Sequence, residues 1–90
     1  MLTDNEDTIT NRLVLIIKQY KSDLKNSDEL FSSGILDSFT MVEIIVKLEN
    51  TFHIKIKPNE ITLPNLDTID AMSSFIKKKL NVKDGKAILS

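Results

Sequence analysis

The stretch "GILDSFTMVEII", residues 34–45, places an acidic residue and a hydroxyl, Asp37 and Ser38, between a glycine and an apolar run of helical spacing. A serine oxygen does chemistry in one of two ways. It attacks with the help of a neighbouring base, or it is presented to another enzyme that supplies the base. The first way needs a partner that the chain does not place nearby. Its one histidine, His53, lies about 22 Å along a helix that starts at Ser38, at ~1.5 Å per residue. A Ser–His pair for hydrolysis is therefore not expected, and His53 reads as an exposed residue after the helix. There is no cysteine, which removes thiolate nucleophiles, thiolate metal sites and disulfides.

Two roles remain for Ser38. Ser and Asp are favoured at a helix N-cap, because their side-chain oxygens accept first-turn N–H groups. Alternatively, Ser38 projects its hydroxyl outward as an attachment point. A phosphate joined there meets free backbone N–H groups and the positive end of the helix dipole. Residue types alone do not separate the two.

The surrounding elements must hold that position. Ile9, Leu13, Ile16, Ile17 and Tyr20 recur at spacings of three and four, predicting a first helix over about residues 6–20. Thr3 and Glu6 have capping-box spacing at its start. A connection of sixteen residues follows, "KSDLKNSDELFSSGIL". A loop of that length in a helical domain is functional or locally packed. Leu24, Leu30, Phe31, Ile35 and Leu36 fold it onto the core, and Gly34 supplies the turn into the next helix. The second helix runs from Ser38 to Phe52, with Met41, Ile45, Leu48 and Phe52 inward and Val42 and Ile44 widening that stripe.

Beyond it, Ile54-Lys55-Ile56-Lys57 alternates like a strand but has no second strand to pair with. It reads as an extended segment pinned by its isoleucines. Pro58 opens a short third helix, and Pro64 ends that turn. The last helix spans about Thr68 to Leu80, with Asp67 as N-cap, Ile69, Met72, Phe75, Ile76 and Leu80 inward, and Lys77, Lys78 and Lys79 complementing the dipole of its final turn. Residues 81–90 read as a frayed tail. The expectation is an all-α, four-helix bundle with a long first loop and a short third helix, in one domain over 1–90 with its core at about 6–80.

Composition excludes several functions. Thirteen acidic residues against twelve basic give a net charge of −1, no footprint for nucleic acid. The first ten residues hold three acids and no base, so they form no signal or transit peptide. No apolar run approaches the roughly 20 residues that span a bilayer. A monomeric, soluble, cytoplasmic protein is expected.

"GILDSFTMVEIIVKLENTFHIKI" resembles the signature of acyl carrier and peptidyl carrier proteins. In that family an Asp-Ser pair opens the second helix, matched by Asp37-Ser38. A bulky apolar residue follows, here Phe39, then a triplet matched by Val42-Glu43-Ile44. Leu48-Glu49 and Phe52 match the close of the helix. Ile54, Ile56 and Asp67-Thr68-Ile69 match the downstream pattern, so the resemblance covers about residues 9 to 80.

The resemblance implies a carrier with no catalysis of its own. Ser38 would bear 4'-phosphopantetheine through a phosphodiester, with Asp37 as its motif neighbour. The arm's thiol would hold an acyl or aminoacyl group as a thioester, which accounts for the missing cysteine. Implied partners are a phosphopantetheinyl transferase, a loading ligase or acyltransferase, and downstream biosynthetic enzymes. Phe39, Val42, Glu43, Val46 and Glu49 are the candidate docking residues, with Glu43 and Glu49 read as near one face. Leu36, where fatty-acid-synthesis carriers usually have Ala, and a second helix with only Glu43 and Glu49 as acids point to a specialised carrier: peptidyl, D-alanyl, dedicated polyketide or specialised fatty acyl. A helical interaction module without a prosthetic group is the alternative.

Overall fold

The computed structural model describes residues 4–89, with side chains placed for residues 8–80. Four α-helices follow in order: α1 (Asp4–Lys18), α2 (Ser38–Phe52), α3 (Leu63–Leu66) and α4 (Ile69–Leu89), with a single 3₁₀ turn at Pro58–Glu60 before α3. No strand occurs among the described residues, and the architecture is the expected all-helical bundle. The proposed capping box at Thr3 and Glu6 lies outside the described residues.

Each helix buries the stripe that its spacing marks. Leu13, Ile16 and Ile17 of α1 meet Ile44, Ile45, Leu48 and Phe52 of α2 and Ile69, Met72, Phe75 and Ile76 of α4 in one core cluster. Removing such side chains from water at about 25 cal/mol per Å² is the main favourable term in holding the helices together. One polar pair lies within that packing. Thr10 Oγ1 of α1 and Ser73 Oγ of α4 are 2.9 Å apart, and Ser73 is buried.

The long first loop is not a free linker. Leu24, Leu30 and Leu36 are buried in the same core. Gly34 turns the chain at φ +86°, a left-handed conformation that an L side chain resists. Asp67 then fastens the loop from across the molecule. Its Oδ1 accepts from Phe31 N at 2.8 Å and Ser32 N at 3.0 Å, and its Oδ2 from Ser32 Oγ at 2.5 Å. Leu30 N donates to the Asp67 carbonyl at 2.6 Å, and Asp70 N donates to Asn26 O at 3.1 Å.

These bonds correct the reading of Asp67 as the cap of α4. The cap is Thr68, whose Oγ1 accepts from Ala71 N at 2.9 Å, while Asp67 ends α3. Both residues have capping chemistry, and the carboxylate goes to the partner that offers three donors.

Three further readings change. Pro64 does not end a turn but stands in the first turn of α3, where its missing N–H costs nothing. Helix α4 continues past Leu80 to Leu89, since the run holds no proline and Gly85 weakens a helix by only about 1 kcal/mol without stopping it. The lysines at 77–79 are thus interior to α4 rather than in its last turn. Lys79 instead reaches Glu60, with Nζ 2.8 Å from Oε1 and 3.0 Å from Oε2. The 54–57 segment keeps the expected alternation without forming a strand. Ile54 and Ile56 are buried, and Ile56 N donates to Glu49 Oε2 at 2.9 Å.

Replacing Asp67 by alanine should lower unfolding stability by roughly 1.5–3 kcal/mol, the range for hydrogen bonds to a charged group, seen as a lower urea midpoint. Partial burial pushes the Asp67 carboxyl up, but the bonds from Ser32 and Phe31 prevail and leave it below its usual value of 3.8. A depressed value contributes in full above 3.8 and is lost as pH falls below it. The midpoint gap between the wild type and Asp67→Ala should therefore narrow on acidification towards pH 3, and a gap that widened would show that the carboxylate is not the active form.

Candidate functional site

Asp37, not Ser38, caps α2. It has extended backbone, and its Oδ1 accepts from Thr40 N at 2.8 Å. The Thr40 N–H, joined by the Thr40 hydroxyl, holds the Asp37 carboxyl below its usual range. Ser38 is the first residue inside the helix. Its side chain is exposed and makes no hydrogen bond among the described residues. The two roles open to Ser38 in the sequence are thus divided between neighbours: Asp37 secures the helix end, and the hydroxyl beside it stays available.

Local sequence explains this placement. Leu36 is buried and its N–H donates to Leu30 O at 2.7 Å, anchoring the chain one residue before the cap. Gly34 reverses the loop just upstream. From that anchored point α2 starts with Asp37 and Ser38 outside the core and Ile44 and Ile45 inside it.

The docking candidates do not all fall together. Phe39 is 75% exposed, Val42 60% and Val46 49%, and with exposed Glu43 they share one face at spacings of three and four. Val42 therefore does not widen the buried stripe, because Ile44, Ile45, Leu48 and Phe52 already fill the core-facing arc. Glu49 belongs elsewhere. Six residues on from Glu43, it is rotated by about 240° around the helix, and its carboxylate accepts the Ile56 N–H. The face is apolar with one carboxylate, Glu43, at its edge.

His53 stands exposed at the C-cap of α2 with φ 56°, its N–H bonded to Glu49 O. The whole 15-residue helix separates it from Ser38. Among the described residues no group of three His, Cys, Asp or Glu side chains is placed to hold a metal, and no helix is long and apolar enough to cross a membrane.

An exposed, unbonded hydroxyl on the first turn of a 15-residue helix suits a covalently attached phosphate, which the helix end favours electrostatically. Over residues 7–76 the sequence matches the family described as phosphopantetheine attachment site. The chain belongs to this family: it is a carrier protein with covalently held 4'-phosphopantetheine, and it stands with the specialised carriers rather than those of fatty acid synthesis. It is similar to the D-alanyl carrier protein of Streptococcus uberis, 34% identical over 76 residues, covering 84% of this chain and 95% of that protein. The D-alanyl carrier protein of Streptococcus pyogenes is 34% identical over 64 residues, covering 71% of this chain and 80% of its own length. No solved structure matches the chain.

Asp37→Ala should destabilise the protein by about 0.5–2 kcal/mol through loss of the cap, whereas Ser38→Ala should change thermal or urea unfolding far less. Equal losses in the two variants would return the capping role to Ser38.

Proposed function

We propose that Ser38 is the point of attachment of the phosphopantetheine arm, and that the chain carries D-alanine or a similarly small, polar aminoacyl group in the cytoplasm. The observation behind the first part is the exposed Ser38 hydroxyl, left unbonded by a cap that its neighbour makes. As the phosphoanhydride bond of a nucleotide-linked phosphopantetheine donor breaks and the nucleotide leaves, Ser38 Oγ supplies the bridging oxygen of the phosphodiester. The proton it gives up is taken by the transferase, because His53 stands at the far end of α2. Asp37 fixes the backbone that presents Ser38, and its charge is committed to Thr40 N. The arm contributes a terminal thiol that holds the cargo as a thioester. On this reading the chain catalyses no step. It works as a monomer with a transferase, a loading ligase and an acceptor enzyme.

The D-alanyl part rests on the similarity to two D-alanyl carrier proteins, each at 34% identity. The site is compatible with it. Burying an amine without a partner costs several kcal/mol, so an aminoacyl group stays outside the core. Phe39, Val42 and Val46, with Glu43 beside them, form the face that partner enzymes meet as they approach Ser38. Desolvating three adjacent apolar side chains supplies affinity, and the carboxylate at their edge selects partners with a facing base. Glu49 takes no part, being bonded to Ile56 N.

Co-expression with a broad-specificity phosphopantetheinyl transferase should add one phosphopantetheine mass to the protein. Ser38→Ala should abolish that gain while circular dichroism stays unchanged. A mass gain that persisted in the variant would move the attachment point elsewhere.

Two further experiments, one kinetic and one thermal, address the face and the cargo. Glu43→Lys should slow association with the transferase, more at low salt than at high, and an unchanged rate across ionic strengths would remove Glu43 from the contact. Loading the holo protein with D-alanine should leave its melting temperature nearly unchanged, whereas a long saturated chain that entered the core would raise it. Strong stabilisation by the long chain would favour a fatty-acyl cargo.

A further inference from the structure

A groove of about 950 Å³ lies at the opposite end of α2 from Ser38. The last turn of α2, the 54–57 segment and α4 wall it. Ile54 and Phe75 form its floor, each only 7% exposed, while Lys55 and Lys57 line it from the segment and Lys78 and Lys79 from α4. Two carboxylates also line it, and both are bonded internally. Glu60 is held by Lys79 Nζ at 2.8 Å and by Lys57 N at 2.8 Å. Glu49 accepts from Ile56 N at 2.9 Å.

Lys79 is likewise committed, its Nζ on Glu60 and 5.5 Å from the centre of the Phe75 ring. The ammonium groups of Lys55 and Lys78 form no ion pair or hydrogen bond among the described residues, and the Lys57 charge acts at longer range on Glu60. The charge offered to an incoming group is therefore positive, although the chain as a whole carries −1.

We propose that this groove is a second docking surface, and that its occupant is an acidic segment of a partner protein with an apolar side chain set among its carboxylates. The apolar side chain lies along the aliphatic stems of the lysines above the floor at Ile54 and Phe75, while the carboxylates meet Lys55 and Lys57 on one wall and Lys78 on the other. The volume falls in the ordinary range of about 300–1,000 Å³ for binding clefts and accepts a few residues of chain. The lysines are spread along two walls instead of converging on one point, which suits several carboxylates better than one phosphate. The concave shape also excludes a flat bilayer surface. Helix α2 is 15 residues long, so a partner held here sits about 22 Å from the Ser38 end and leaves it open. Rim charges of this kind act mainly on association rate and are screened by salt.

The test uses the intact, unmodified protein, so its outcome does not depend on attachment at Ser38. The probe is a fluorescein-labelled peptide of Glu and Leu, with its Lys and Leu counterpart as control. Binding is followed by anisotropy and located by amide chemical shifts. The Glu–Leu peptide should bind, its shifts should cluster at residues 49–60 and 75–79, and residues 37–46 should stay still. Lys55→Glu combined with Lys78→Glu should weaken binding about tenfold or more, against a little-changed unfolding midpoint. Lys55→Arg and Ser38→Ala should each bind as the wild type does. Several results would overturn the proposal: no binding; shifts centred on residues 37–46 or spread over the surface; the same shifts from inorganic phosphate or phosphatidylglycerol vesicles; or groove shifts that grow with protein concentration alone, marking a second copy as the occupant.

Discussion

The carboxylate of Asp67 is the tie on which the rest of the structure depends. The first loop makes up a large part of the chain and has no helix of its own, so its backbone groups need partners from elsewhere. Asp67 supplies them at one point, taking the N–H groups of Phe31 and Ser32 and the Ser32 hydroxyl, while its own carbonyl accepts from Leu30. With Leu30 fixed, its carbonyl receives Leu36 N, and Leu36 leads directly into Asp37 and Ser38. The position of the Ser38 end of α2 is thus set from the junction of α3 and α4. A charge-assisted bond is about twice as strong as a neutral one, so a single aspartate can hold a loop that hydrophobic contacts alone would hold loosely.

Helix boundaries and core stripes were legible in the sequence wherever they rested on periodicity and caps. The reading of α2 as Ser38 to Phe52 coincides with the helix, because an Asp-Ser start and a closing Phe-His leave little freedom at either end. The stripes of α1 and α4 follow the same logic. Contacts between distant residues were not legible. Asp67 and Ser32 are far apart along the chain, and nothing local to "LDTID" distinguishes an aspartate that caps its own helix from one that reaches across a bundle. Only its pairing with Thr68, a second residue able to cap, hints that one of the two is spare.

The same limit governs charges and exposure. Lys79 looks like a helix-end lysine until the continuation of α4 and the place of Glu60 are known. Val42 looks inward because apolar residues are read as core until the arc is filled. Ile44 and Val42 flank the stripe on opposite sides, about 200° apart, and no count of apolar residues reveals which flank faces the core. Asp37 and Ser38 illustrate the opposite case. Both residue types suit the cap, and it took one distance, from Thr40 N to Asp37 Oδ1, to assign it to Asp37.

The Thr10–Ser73 contact sets the alignment of the bundle's longest interface. Hydrophobic packing between α1 and α4 tolerates sliding, since one isoleucine or leucine can take another's place at modest cost. Two hydroxyls facing each other among those side chains cannot slide. A shift of α4 by one turn along α1 would part them and leave the buried Ser73 hydroxyl without its partner, at about 1–3 kcal/mol. The pair works as a register key: it adds little to the depth of the folded state, but it raises the energy of the nearest misaligned one. Since Asp67 sits at the head of α4, that alignment also fixes how far along the bundle the first loop, and the serine that follows it, is set.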